Sequence, residues 1–183
     1  EVLGQMRTAI SKGSCLIVGE TGVGKTTLVS SVAREMFLAR RALRKQQRDK
    51  GSDTEPLQPL FWSSSAGRLI AGMRYLGQWQ QRLEAVVAEL ANIDGVLAIE
   101  NLLDLVSIGG REPRDSLAAF LIPYLRSGSL RLVAEASPTE LDACRRLLPA
   151  LVDTLPMVRV EPMRIEHEQE LLRVTLAQQL QSA

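Results

Sequence analysis

The residues Gly19-Glu20-Thr21-Gly22-Val23-Gly24-Lys25-Thr26 match the spacing G-x-x-x-x-G-K-[ST] at every fixed position. The chemistry open to such a run is the cradling of a polyphosphate. Glycines let backbone N–H groups wrap a phosphate, and a helix that starts behind them adds the positive end of its dipole. The Lys25 ammonium would reach the β- and γ-phosphates, and the Thr26 hydroxyl would ligate Mg2+. The expected contacts are Glu20, Thr21, Gly22, Val23, Gly24, Lys25, Thr26 and Thr27, with ATP and Mg2+ as ligands. The competing reading is a Gly-rich turn without ligand. The elements on either side decide between the two.

Before the loop stands Cys15-Leu16-Ile17-Val18, an apolar run of the kind a strand covered on both faces shows. After it Leu28, Val29, Val32, Ala33, Met36 and Phe37 recur at helical spacing. Strand, glycine loop and helix is the context in which the motif binds phosphate. Upstream, Val2, Leu3, Met6, Ala9 and Ile10 predict a helix closed by Lys12-Gly13-Ser14. The helix after the loop runs to about Gln46 and carries Arg40, Arg41, Arg44, Lys45 and Arg48, read as a solvated helix end. Residues 49–59, with Gly51, Ser52, Asp53, Pro56 and Pro59, read as an exposed loop.

Further strands are expected at residues 60–62, 96–99, 130–134 and 157–160, with helical patterns between them. Trp62 and Trp79 read as core, and Ser137-Pro138-Thr139-Glu140 has the form of a capping box that starts a helix. Apolar strands alternating with helices predict an α/β fold, a three-layer αβα sandwich on a five-stranded parallel sheet. The ligand site then lies at the carboxyl ends of the strands.

With 45% apolar residues the 183-residue chain can bury one substantial core. A net charge of +1 gives no reason to expect nucleic acid or an anionic membrane as partner. Cys15 reads as core and Cys144 as incidental; the two make no disulfide framework and suit a reducing, cytoplasmic setting. No apolar run reaches the roughly 18 residues of a spanning helix, so a soluble chain is expected. The start lacks Met and falls within a helical pattern, which reads as a domain of a longer protein.

Beyond the phosphate loop, three more stretches carry a resemblance. They are Ala71-Gly72-Met73-Arg74-Tyr75-Leu76-Gly77-Gln78-Trp79-Gln80-Gln81-Arg82-Leu83, Ala98-Ile99-Glu100-Asn101-Leu102 and residues 129–137. In this order they resemble the first ATPase domain of the Clp-type AAA+ unfoldases, whose patterns read GExGVGKT, AGxxYRGxFExRL, hhFIDEhH and GxLRhIGATT. Val160-Glu161-Pro162 is similar to the family's VxEP, which ends the large subdomain. The resemblance implies a large α/β subdomain over residues 1–162 and the truncated first helix of a helical lid over 163–183. It also implies a ring, homo-hexameric in the full-length protein though the piece alone could be monomeric. Arg74, Tyr75 and Leu76 would form the first pore loop, gripping a polypeptide substrate, with ordinary packing of Tyr75 as the alternative.

The resemblance also exposes departures. Where the family has Asp-Glu at the end of the third strand, this chain has Glu100-Asn101. Glu100 keeps a carboxylate for Mg2+, whereas Asn101 can position water but cannot take its proton. Loss of a positioned general base costs about 10² to 10⁴ in rate. Asp104 is a poorer candidate for that base. Ser137 falls at the family's sensor threonine, and sensor and helix cap stay open as its roles. Glu135 replaces a small residue, and the sequence offers no reason for it. Asp153 and Thr154 stand where the family has its arginine pair, worth roughly 10³ to 10⁵ in rate, and Arg145 and Arg146 read as surface charges. Glu100, Asn101 and Ser137 are thus the catalytic candidates, Thr26 and Glu100 those for the metal. The expected function is Mg-ATP binding in a Clp-like protein-remodelling ring, with hydrolysis weak or absent. A non-enzymatic, ATP-dependent scaffold or adaptor is the alternative, and a nucleic-acid motor on the same fold would need a basic stripe that is not visible here.

Overall fold

The computed structural model describes residues 2–48, 60–73 and 77–162. Inside its sheet runs strand β1 (Cys15–Val18), buried at all four positions, as the unbroken apolar run requires. β1 pairs in parallel with β4 (Arg131–Ala136) on one side and β5 (Met157–Arg159) on the other. Beyond β4 lies β3 (Val96–Ile99), and beyond that β2 (Phe61–Ser64), giving the order β2-β3-β4-β1-β5, parallel throughout.

Side chains alternate across a strand, so each strand feeds two cores. Cys15, Ile17, Val96, Ala98, Val133 and Val158 face α1 (Val2–Lys12) and α2 (Lys25–Arg48), which contribute Met6, Ile10, Val29 and Val32. Leu16, Val18, Leu97, Ile99, Leu132, Ala134 and Ala136 face the opposite layer. That layer holds α3 (Ala66–Leu69), α4 (Gln78–Asn92), α5 (Leu102–Ser107), α6 (Leu117–Ser127), α7 (Pro138–Leu147) and α8 (Pro149–Val152). The expected three-layer α/β sandwich with five parallel strands is what the chain forms.

The structure alters several expectations. The second strand begins one residue later than expected and runs on to Ser64, and α5 forms over residues for which the sequence suggested no element of their own. α5 has six residues, too short for a periodic pattern to declare itself. Cys144 is not incidental. It stands one turn from Leu141 on the inner face of α7 and is fully buried. Burial, with Glu140 adding to it, raises its thiol to about 11. Trp62 is not core: it is 50% exposed on β2, an edge strand of the described sheet. There its ring lines a cavity of about 430 Å3 together with Leu69, Val86, Leu90 and Leu97. Trp79 does meet the core, edge-on to Phe120 with ring centroids 5.5 Å apart. The loop at 49–59, the pore-loop residues Arg74, Tyr75 and Leu76, and the lid segment 163–183 lie outside the described residues. Among the described residues no helix is long and apolar enough to cross a membrane.

Candidate functional site

The loop between β1 and α2 is held in place by the sheet itself. Gly19 continues β1, donating its N–H to the Ala136 carbonyl at 3.2 Å, while the Val160 N–H donates to the Val18 carbonyl at 2.8 Å. A Cβ on Gly19 would stand 2.5 Å from the Val160 carbonyl oxygen, so only glycine fits between the two neighbouring strands. The chain then turns through Gly22 at φ 86° and Gly24 at φ 88°, a region that L side chains rarely adopt.

α2 opens at Lys25 with no acidic residue in its first turn. Its first N–H groups have no intrahelical acceptor, and the positive end of its dipole stays unneutralised by its own side chains. Lys25 Nζ donates to the Gly19 and Glu20 carbonyls at 2.8 and 2.9 Å. This draws the ammonium over the loop and leaves it one further N–H to give. Such an arrangement can take an anion: helix N-terminus, left-handed glycines and a cation converge on one loop.

Next to the loop, the Thr26 hydroxyl donates to Glu135 Oε2 at 2.8 Å. Glu135 is 5% exposed. Burial raises its pKa; the Thr26 hydrogen bond and the Lys25 charge oppose that, and the nearby Glu100 charge adds to it. Strand alternation explains the placement, because residue 135 shares the face of Val133, which is the face that α2 covers. Sequence reasoning registered this charge as foreign to the strand but did not give it a site. The alternation of residues 132–136, followed with the phosphate-loop helix in mind, was the signal that could have found it.

Glu100 follows β3 directly and is exposed. By the same alternation it continues the row Val96, Ala98 on the α2 face. Asn101 is one residue further and turns to the other layer. Its Oδ1 accepts from the N–H groups of Leu103 and Asp104 at 2.8 and 3.3 Å, capping α5. Its Nδ2 donates to Glu140 Oε1 at 2.9 Å. Both ends of the amide are therefore engaged by protein.

Ser137 is joined to the same network. Its Oγ accepts from the Glu140 N–H at 3.3 Å, and its own N–H donates to Glu140 Oε2 at 2.6 Å, the reciprocal pair of a capping box at the start of α7. The helix cap that the sequence offers for Ser137 is formed. Glu140 is held below its ordinary pKa, first by the Ser137 N–H, then by the Ser137 and Asn101 side chains and the Lys25 charge, against the opposing effect of burial.

The side chains of the remaining candidates lie apart from this network. Asp104 is exposed in the first turn of α5. Asp153 is exposed, and the Thr154 hydroxyl donates to the Leu151 carbonyl at 2.6 Å. Arg145 and Arg146 are exposed, Arg145 pairing with Asp142 at 3.4 Å. Gly72 at φ 81° and Gly77 at φ 92° are both left-handed.

Comparison with known proteins places the chain. The family described as "ATPase family associated with various cellular activities (AAA)" matches residues 15–144. The chaperone protein ClpB 1 of Synechocystis is 31% identical over 177 residues, which is 92% of this chain and 18% of that protein. ClpB of Lactococcus lactis subsp. cremoris is 31% identical over 140 residues, 75% of this chain and 14% of that protein. The chain thus spans less than a fifth of the length of these relatives. Among solved structures, the S. cerevisiae Hsp104–ADP complex superposes with a TM-score of 0.67 at 21% identity, over 93% of this chain and 23% of that one. The Aeropyrum pernix Orc1 protein in complex with DNA superposes with a TM-score of 0.63 at 16% identity, over 97% of this chain and 48% of that one. At these identities the structural likeness speaks for the fold alone. The family match, covering more than half of the residues and including the phosphate loop, together with the ClpB relatives, means that this chain belongs to the AAA family of ATPases as a domain of the Clp type.

Proposed function

We propose that this chain is the Mg-ATP-binding domain of a Clp-like protein-remodelling ring, with hydrolysis weak or absent. Binding rests on the phosphate loop: a helix N-terminus, two left-handed glycines and the Lys25 ammonium suit a polyphosphate, and the Thr26 hydroxyl suits its Mg2+. Bound Mg2+ would neutralise phosphate charge and orient the nucleotide. Glu20, Thr21, Gly22, Val23, Gly24 and Thr27 complete the proposed contact set, and Glu100 stands on the metal side.

One observation carries the second half of the reading. Asn101, at the position of the general base in the Clp pattern, has its oxygen committed to the α5 cap and its amide nitrogen to Glu140. A neutral amide so engaged neither accepts a proton nor turns toward water, and the expected loss is about 10² to 10⁴ in rate. Ser137 is similarly engaged, and Asp153 and Thr154 offer no cation to a neighbouring subunit. Residues 1–162 are proposed as the large subdomain and 163–183 as the start of the lid. A homo-hexameric ring with a polypeptide threading past Arg74, Tyr75 and Leu76 is the corresponding assembly. The missing cation favours a second reading, an ATP-holding scaffold without turnover, since ligand that binds one state stabilises that state.

The test is calorimetric titration with Mg-ATP and single-turnover phosphate release on the same sample. Binding without release is the expected result. Sustained turnover would show that the Asn101 argument is wrong, and absence of binding would remove the phosphate-loop reading altogether.

A further inference from the structure

The Clp pattern puts its metal-side carboxylate at the end of the third strand, where this chain has the exposed Glu100. In the strand order β4 stands between β3 and β1, so a carboxylate on β4 stands between Glu100 and the phosphate loop. Neighbouring strands are about 4.8 Å apart, so Glu100 starts about 10 Å from the strand that feeds the phosphate loop, and Glu135 half as far. Glu135 is opposite Ile17 in the β1 ladder, on the face that α2 covers, and its Oε2 receives the Thr26 hydroxyl at 2.8 Å.

That hydrogen bond sets the orientation of the hydroxyl. A threonine hydroxyl has one proton and two lone pairs, and an ionised carboxylate only accepts. With its proton given to Glu135, the lone pairs of Thr26 Oγ1 are left for a cation. Glu135 is nearly inaccessible, has the Glu100 charge beside it, and has Lys25 as a nearby positive group. A buried carboxylate next to a second carboxylate is costly unless positive charge arrives. A divalent ion beside Thr26 would supply it.

We propose that Glu135, on β4, is the principal carboxylate toward the nucleotide's Mg2+, orienting Thr26 and holding the ion's hydration shell, with Glu100 in a lesser role. The inference rests on the nucleotide-binding reading above and deepens it. It also gives nucleotide binding a steep metal dependence, because the ion is what joins Thr26 and Glu135 to the phosphates.

The experiment measures the affinity of the chain for a fluorescent ADP analogue in excess Mg2+ and in EDTA, for the wild type, Glu135→Gln and Glu100→Gln. The readout is the ratio of the two affinities. Outer-shell partners of a metal typically contribute about 10- to 100-fold, so the ratio should fall by that factor in Glu135→Gln and by less in Glu100→Gln. Glutamine keeps the shape and an acceptor for Thr26, and melting curves of each variant verify that it folds. If Glu135 only braced the loop, both affinities would drop together and the ratio would stay at the wild-type value, which overturns the proposal. A ratio that collapses in Glu100→Gln and not in Glu135→Gln overturns it as well. Failure of the wild type to bind in either condition would instead remove the nucleotide-binding reading, and this inference with it.

Discussion

Lys25 is placed where a phosphate would compete for it: its ammonium rests on two loop carbonyls, Gly19 and Glu20, and lies within electrostatic reach of Glu135 and Glu140. Truncating one partner of a desolvated charge pair costs about 2 to 5 kcal/mol. Lys25→Ala should therefore weaken Mg-ATP binding by more than about 30-fold, measured by calorimetry; unchanged affinity would contradict the phosphate-loop reading. Asn101→Glu is more complicated than a restoration of the family pattern. The new carboxylate would lose the amide donor to Glu140 Oε1 and face that carboxylate at hydrogen-bond distance, while α5 keeps an acceptor at its cap. We expect Asn101→Glu to lower the melting temperature and Asn101→Glu combined with Glu140→Gln to recover most of it. Turnover should rise in either variant only if a partner supplies an arginine. A rise without a partner, seen in single-turnover phosphate release, would mean that the missing cation is not limiting.

At the scale of elements, the starts of α5 and α7 are tied into one unit through Glu140, which serves the Ser137 cap with one oxygen and Asn101 with the other. The sign of its pH dependence follows from its pKa, which is lowered in the folded chain. A lowered carboxylate contributes stability above its unfolded pKa, about 4.3, and that contribution is lost as pH falls through the folded value. Glu140→Gln should cost about 1 kcal/mol at pH 7, the usual worth of a cap. The difference from wild type should shrink as pH drops below about 4. Denaturant titrations at pH 7 and at about pH 2.5 measure it, and an equal difference at both would show that the charge of Glu140 contributes nothing. α5 also shows why a short element escapes sequence reading. Its single turn and a half is decided by the Asn101 cap and by burial of Leu102, Leu105 and Val106, not by local periodicity.

At the scale of the molecule, the phosphate loop lies between layers, with β1 beneath it, Val160 and Ala136 on its flanks and α2 leaving it. A ligand there contacts the end of an interior strand and one of the two helices of its layer, so binding should stabilise the whole domain. At a concentration of about 100 times its Kd, Mg-ADP would add about 2.7 kcal/mol. For a chain of this size that corresponds to a rise of about 5 to 10 °C in Tm. Thermal scans with Mg-ADP, with ADP in EDTA and with Mg2+ alone test this; the full rise should need both components. A rise with ADP in EDTA equal to that with Mg-ADP would show that the metal plays no part in binding.

The sequence by itself determined the sheet strands, the phosphate loop and the class of fold, because each is written in local terms. An unbroken apolar run gives a doubly covered strand, fixed glycine spacing gives the loop, and a Ser-Pro-x-Glu run gives the start of α7. It also revealed that the third strand ends in Glu100-Asn101. The tertiary structure alone decided what those unusual residues touch. Asn101 and Glu140 are 39 positions apart, and Thr26 and Glu135 are 109 apart. No spacing rule connects such pairs; the parallel order β3-β4-β1 does, by bringing three strand ends and one helix start to the same edge. Trp62 went the other way for the same reason: its apolar ring suited a core, but its strand ended up at an edge of the described sheet, with half of the side chain open to solvent. Composition sets which residues can be buried, and the topology of the sheet decides which of them are.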